Sequence, residues 1–406
     1  MPSGSNATDP RIVLLALVSF VLGTDSVVIV GMLSDIAAAL EVTEAAAGQL
    51  VSAFALTYGI GAPVFAALTG RRPPGNVLIA ALVAFCIANV GCALSPAYPL
   101  MLACRILAGG FAAVCSPLAF ALAANLAPVD RRGRALSVVA IGGTAAVIIG
   151  GPLGTWIGEH LGWRMSFGAV AAAAGIAAIA LLSSGLSRLP APGALPLKAR
   201  LAPIYNPRVL AAFVPVFLAG LGFHAVYTYL APMLQANLRT GDISGTLVAC
   251  GIGSGLGSWL GGTVADRYGV SRPFALTLTA LFAMECALPW STRSAAGAML
   301  SLAVWSGAVP CLFLLQQRRL LSLWPENANV LMGLNNAAIY LAMAGGAALG
   351  GASLLAIRAG YIGWTGAICT LAALSVHLLD RRLRAADHGV GSGRGGAVSG
   401  DRGSAR

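Results

Sequence analysis

The segment Gly262-x-x-x-Asp266-Arg267-Tyr268-Gly269-x-x-Arg272 has a worn counterpart 196 residues upstream, at Leu68-Thr69-Gly70-Arg71-Arg72-Pro73-Pro74. The same shift lays Gly150-Gly151-Pro152-Leu153-Gly154 over Gly346-Ala347-Ala348-Leu349-Gly350. One spacing that reproduces two unrelated motifs makes the two halves structural copies. A period near half of a 406-residue chain is far too long for a solenoid.

Composition says what the copies are made of. The chain is 58% hydrophobic and only 10% charged, with a mean hydropathy of +0.83, whereas an ordinary soluble domain carries roughly 25% charged residues. Such a chain belongs in lipid. Apolar runs of about 20 residues, the length that crosses a bilayer, recur at 12–33, 47–69, 76–96, 99–123, 135–157 and 166–184, then at 209–234, 244–265, 273–291, 296–316, 331–356 and 362–379. These predict an all-α membrane protein of twelve transmembrane helices in two pseudo-symmetric six-helix bundles, residues 1–184 and 209–384. A linker with five prolines, 185–208, joins them, and the Gly-, Ser- and Arg-rich stretch 385–406 reads as a disordered tail.

Charge supplies an independent test of the count. With the N-terminus cytoplasmic, 20 of the 25 basic residues fall in inner loops, linker or tail, among them Arg11, Arg71, Arg72, Arg131, Arg132, Arg134, Lys198, Arg267, Arg272, Arg318 and Arg319. Only Arg164, Arg239, Arg293 and Arg358 are left outside, and Arg105 lies within a span. The asymmetry places both termini in the cytoplasm and requires an even number of crossings. It also accounts for the net charge of +11 through anionic lipid headgroups, with no nucleic-acid partner. The stretch before Arg11 is not a cleavable signal, so the first span itself directs insertion.

Several chemistries are missing. The single lysine, Lys198, lies in the linker without a Gly-rich approach, so there is no Walker A loop. His160, His224, His377 and His388 form no metal pair, and no G-x-S-x-G elbow occurs. The eight cysteines all fall in spans without a C-x-x-C and read as small packing residues. We therefore expect no enzyme, no cofactor and no metal.

The residues quoted above carry a resemblance. Gly262 to Arg272 resembles the loop between the second and third helices of each half in the major facilitator superfamily, and Gly151-Pro152-x-x-Gly154 resembles the fifth-helix signature of its antiporters. Arg105-x-x-x-Gly109-Gly110 is similar to the fourth-helix arginine motif. Gly23-Thr24-Asp25, Pro128-x-x-x-Arg132-Gly133-x-Ala135, Gly162-Trp163-Arg164 and Leu334-Asn335-Asn336-Ala337 resemble the 12-spanner drug:proton antiporters, near the chloramphenicol, sugar and purine-nucleoside exporters. The resemblance covers nearly the whole chain up to the tail. It implies the major facilitator fold and a monomer in the bacterial inner membrane that exports a small drug-like or metabolite molecule in exchange for protons by alternating access. A uniporter or proton symporter importing a nutrient is the alternative on the same fold. Gly70 departs from the pattern by replacing the expected acid, and Pro73 and Pro74 replace the glycine step.

Three ionisable residues lie deep in the spans: Asp25, Arg105 and Glu285. Each costs ~2.5–3.5 kcal/mol near the bilayer centre even on the mildest scale, so it is kept for a reason. Asp25 is ~21 Å along an outward-running helix from Arg11, and Arg105 is ~9 Å below the outer surface on a descending one. Their depths nearly coincide, and in the resembling family both helices line the cavity. Asp25 is expected to carry the coupled proton and Arg105 to keep it ionised, since a nearby cation favours the carboxylate and burial favours the acid; a static ion pair is the other reading. Glu285 is an auxiliary proton site or sits beside water near the outside, and Asp35 is solvated at the outer end of its helix.

Substrate contacts are expected from His224, Tyr227 and Thr228, which span four positions of one helix, and from Asn335, Asn336 and Tyr340; ordinary interhelical hydrogen bonding is the competing role. For gating, Asp266 is expected to accept from the N-terminal amides of a neighbouring helix and hold one access state closed, with Arg267 and Arg272 at the headgroups and Gly269 in the turn; alternatively the loop merely stops a helix. Gly151, Pro152 and Gly154 loosen and smooth the fifth helix, as a packing surface or as a sliding seam.

Overall fold

The computed structural model describes residues 9–69, 72–128, 131–186, 205–238, 244–323 and 328–394. Gly70, Arg71 and most of the expected linker lie outside the described residues. The regular structure described is helical throughout: α1 (Pro10–Ala39), α2 (Glu44–Thr69), α3 (Pro74–Leu94), α4 (Tyr98–Leu126), α5 (Arg132–Leu161), α6 (Trp163–Ser183), α7 (Pro207–Thr228, continued by Leu230–Leu238), α8 (Ser244–Tyr268), α9 (Ser271–Ser291), α10 (Ala295–Leu323), α11 (Ala328–Ser353) and α12 (Gly363–Arg394). Eleven of them are long and apolar enough to cross a membrane. The twelfth crossing is α11, 26 residues long, in which Asn335 and Asn336 dilute the apolar signal.

Local chemistry sets the ends. Asp9 caps α1, its carboxylate accepting from the Arg11 amide at 2.9 Å and from the Arg11 guanidinium at 2.7 Å. That hydrogen-bonded guanidinium holds the Asp9 carboxyl below the usual carboxylate range. Prolines enter at the first turns of α3 and α4, where no amide donor is lost. In α5 a π-helical turn, Ala146–Gly150, precedes Pro152, which lacks the donor for a regular ladder. At the other end of the chain α12 takes in residues 385–394 of the expected tail, and 395–406 lie outside the described residues. Extending a nucleated helix fixes one residue per added bond, so the Arg- and Ala-containing stretch after residue 380 prolongs it.

The repeat is visible in how the halves pack. A methyl group added at Gly150 would strike Thr24, and one at Gly154 would strike Val28, so the α5 glycine stripe lies flat on α1. The equivalent stripe on α11 lies on α7, with Gly346 against the Leu221 carbonyl and Gly350 against the Ala225 carbonyl. Likewise Gly253, Gly257 and Gly261 of α8 meet the backbone of Ala303, Gly307 and Cys311 on α10. Small residues let these helices approach closely where lipid offers no hydrophobic drive between them.

The shared core of the two halves is concentrated at the end remote from the termini. One buried cluster joins Val28–Leu40, Ala47–Ala55 and Trp163–Phe167 of the first half to Tyr229–Leu234 and Met343–Ala347 of the second. Tyr98 donates to the Ala46 carbonyl, Ser52 to Ala344 and Tyr229 to Ala347, pinning α2, α4, α7 and α11 together at that end. Towards the termini, the first half keeps its own cluster from Ile12 to Leu186, and Val209, Ala212, Leu320 and Leu331 form another in the second half. The space between the halves on the terminal side of the seal is the central cavity.

Candidate functional site

The cavity measures about 470 Å³, within the range of small-molecule sites, about 300–1,000 Å³. It is lined by α1, α2, α4, α5, α7, α8, α10 and α11. Four of the six expected substrate contacts lie on its wall: His224, Tyr227, Asn336 and Tyr340. Thr228 and Asn335 are buried elsewhere in the packing, 1% and 2% exposed, and do not line it. Successive residues of a helix point about 100° apart, so Thr228 and Asn335 turn away when their neighbours Tyr227 and Asn336 turn in.

Residues that the pattern alone did not single out complete the wall. Tyr58 of α2 stacks on Tyr340 of α11 with ring centroids 3.6 Å apart, and the Asn336 amide donates to the Tyr58 hydroxyl at 3.2 Å. Phe223 stacks on Tyr227 at 5.4 Å and on Trp305 behind it at 4.3 Å. Ser19, Ser26, Ser116, Thr155, Ser254 and Ser306 add hydroxyls. One signal was present for Tyr58, a single large polar aromatic in the small-residue run Thr57-Tyr58-Gly59. The serines carried none, because they resemble ordinary packing residues of a membrane helix.

Asp25 and Arg105 meet behind this wall. Both side chains are fully buried, and Nη1 of Arg105 donates to both carboxylate oxygens of Asp25 at 3.0 Å. Arg105 also reaches the Leu50 carbonyl with Nε at 3.5 Å and lies over the Phe54 and Phe167 rings, 4.3 and 5.9 Å from their centroids. Its second terminal nitrogen, Nη2, has no hydrogen-bond partner. The pair thus uses one nitrogen rather than the parallel fork that makes Arg–carboxylate contacts strongest. Gly23 and Ser26, which bracket Asp25, line the cavity, and Tyr340 lies beside the Ser26 hydroxyl. One helical turn and one hydroxyl separate the ion pair from cavity space.

Glu285 is placed differently. It lies on α9, outside the cavity wall, and is fully buried, which corrects the expectation that it sits beside water. The Trp305 indole N–H donates to one carboxyl oxygen at 3.4 Å, the other has no hydrogen-bond partner, and the Gly366 backbone closes over the group. Among the described residues no cation pairs with it. Asp35 is exposed, in keeping with a solvated role.

The gate loop also departs from expectation. Asp266 pairs with the Arg318 guanidinium of α10 instead of a helix N-terminus. The α8–α10 glycine seam brings the terminal ends of those two helices together, so a guanidinium is the nearest donor. The contact joins two helices of one half and therefore does not bridge the halves. Arg267 and Arg272 are exposed, and Gly269 turns the chain at φ 72°. Gly151 and Pro152 line the cavity, whereas Gly154 packs on Val28.

The sequence profile of the Major Facilitator Superfamily matches residues 15–347. The chain belongs to that superfamily. It is 35% identical to the uncharacterized MFS-type transporter YbcL of Bacillus subtilis, over 91% of this chain and 95% of that one. It is 34% identical to the inner membrane transport protein YdhP of Escherichia coli K12, over 84% and 88%. A chloramphenicol resistance protein of Streptomyces lividans is 38% identical over 63% of this chain and 66% of its own. The fold superposes on a bacterial homologue of the human lysosomal transporter Spinster with a TM-score of 0.75, at 16% identity, covering 93% and 98% of the two chains. The protein is a multi-pass membrane transporter of small molecules, not an enzyme.

Proposed function

We propose that this transporter is an exporter that moves a small drug-like or metabolite molecule out of the cell in exchange for protons. The observation that carries the reading is the buried Asp25–Arg105 pair, held through a single nitrogen one turn behind a cavity that is sealed at the end remote from the termini. Proton arrival at Asp25 releases Arg105, and loss of that proton restores the pair, so the charge state of one site is tied to the packing of α1 on α4. With both termini cytoplasmic in a bacterial inner membrane, the cavity of this conformation faces the cytoplasm, the side from which an exporter loads. The protein acts as a monomer, each chain holding a complete cavity. Drug efflux is supported by the Streptomyces lividans relative named for chloramphenicol resistance. Glu285 serves the second half as a brace for Trp305, auxiliary to the Asp25 site.

Everted vesicles with an acidified lumen test the direction. Chloramphenicol added to the medium enters the vesicles and alkalinises the lumen if the protein is a proton antiporter, and does neither with Asp25→Asn. Accumulation that proceeds equally with the gradient collapsed indicates a uniporter and removes the coupling role of Asp25.

A further inference from the structure

Among the described residues, not one of those that line the cavity is Asp, Glu, Lys or Arg. The nearest ionised groups, Asp25 and Arg105, neutralise each other behind the wall. A charged ligand would lose its hydration without meeting a counter-charge, which is costly in a site of this kind. Flat surfaces, by contrast, are plentiful: the Tyr58–Tyr340 stack and the Phe223–Tyr227 stack border the same space, and Trp305 backs Phe223. Aromatic rings favour ring partners in offset or edge contact.

His224 adds a directional group. Its Nδ1 lies 2.8 Å from the Gly220 carbonyl, which can only accept, so Nδ1 carries the hydrogen and Nε2 of the neutral ring is an acceptor. Ser19, 8% exposed, also lines the cavity and its hydroxyl lacks a hydrogen-bond partner, whereas the Thr155 hydroxyl packs against Gly31. Buried polar atoms left open in a cavity wall are the handles that orient a ligand.

We infer that the cavity takes an uncharged, planar aromatic molecule bearing a hydrogen-bond donor, an amide N–H or a hydroxyl, which His224 Nε2 accepts. This names the ligand class for the transport site proposed above and rests on that cavity, but not on proton coupling. Binding in the absence of any gradient therefore tests it separately: failed coupling leaves the ligand class standing, and a failed ligand class leaves the coupling standing.

The test is calorimetric titration of the full chain in lipid nanodiscs, with empty nanodiscs subtracted, using four ligands on one ring system. These are naphthalene-2-carboxamide, its N,N-dimethyl derivative without an N–H, 2-naphthoate as the anion and 2-naphthylmethylammonium as the cation. The carboxamide should bind at least tenfold more tightly than each of the others. His224→Phe, which keeps a flat ring without the acceptor, should bring the carboxamide down to the dimethyl compound, and Tyr340→Leu should weaken both uncharged ligands together. Equal or tighter binding of either ion overturns the inference, and so does a carboxamide preference that survives His224→Phe. Should either variant fail to fold, the ranking of the four ligands on the unaltered protein decides alone.

Discussion

In the first half the buried carboxylate of Asp25 meets a guanidinium at 3.0 Å, next to the cavity; in the second, Glu285 is equally buried but faces the Trp305 indole N–H at 3.4 Å and the Thr370 side chain, away from the cavity. Duplication supplied the same scaffold to both, and the matching position to Asp25 is Leu221, whose carbonyl is simply the floor under Gly346. The contrast teaches that depth alone does not make a coupling site. An acid that is to gain and lose a proton during a cycle needs a cation that can let go and a route to water. On the proposed reading, an acid with neither serves as a structural hydrogen-bond acceptor.

The largest expected effect breaks the pair from one side. Asp25→Asn should bring gradient-driven transport to background and leave Arg105 as an unpaired buried cation, a kind of change that costs about 3–5 kcal/mol. Thermal unfolding in detergent reads the second part, and Asp25→Asn with Arg105→Met should unfold at a higher temperature than Asp25→Asn alone. If the double variant is the less stable of the two, the pair is not the energetic unit described.

Next in size is the seam between α8 and α10. Gly257→Val places side-chain atoms on the Gly307 backbone, and overpacking of this sort costs about 1–3 kcal/mol or more. A lower yield of folded protein by size-exclusion chromatography is the expected outcome, and wild-type yield would show that α8 and α10 are not in contact there.

Glu285→Gln sharpens the contrast between the acids. The amide keeps a carbonyl for the Trp305 N–H, so stability should change by less than about 1 kcal/mol and proton-driven transport should persist. Loss of coupling in this variant, with folding intact, would promote Glu285 to the rank of Asp25. Smallest of all is Asp266→Asn. Its ion pair with Arg318 is solvent-accessible and worth at most about 1 kcal/mol, so the unfolding temperature should barely move and any difference should vanish in high salt. A pronounced change in transport rate from this substitution would mean that the loop meets the opposite half in another access state.

The depth argument for Asp25 and Arg105 needed only the helical rise and the position of the span ends, which is why it placed the two partners at a common level. The expectation for Thr228 and Asn335 rests on helix face and residue type instead, and their side chains do not line the cavity. Rise per residue tells how deep a side chain lies, whereas its azimuth depends on which neighbours the helix packs against. Asp266 failed for a related reason: its partner, Arg318, is 52 residues away on a helix that becomes a neighbour only through the α8–α10 seam.

The amino-acid sequence by itself determined that the chain crosses a membrane, that it is built as two copies, and which ionisable groups lie deep in it. Those properties are one-dimensional, since hydropathy, loop charge and period accumulate along the chain whatever the helices later touch. Only the tertiary structure decided that α1 and α4 bring Asp25 to Arg105, that Glu285 stands with Trp305 and, among the described residues, no cation, and that two aromatic stacks share a wall whose described residues carry no charge. Those are consequences of helix rotation and neighbour choice, which arise from the packing of small-residue stripes across the whole bundle and leave no local mark at the residues they position.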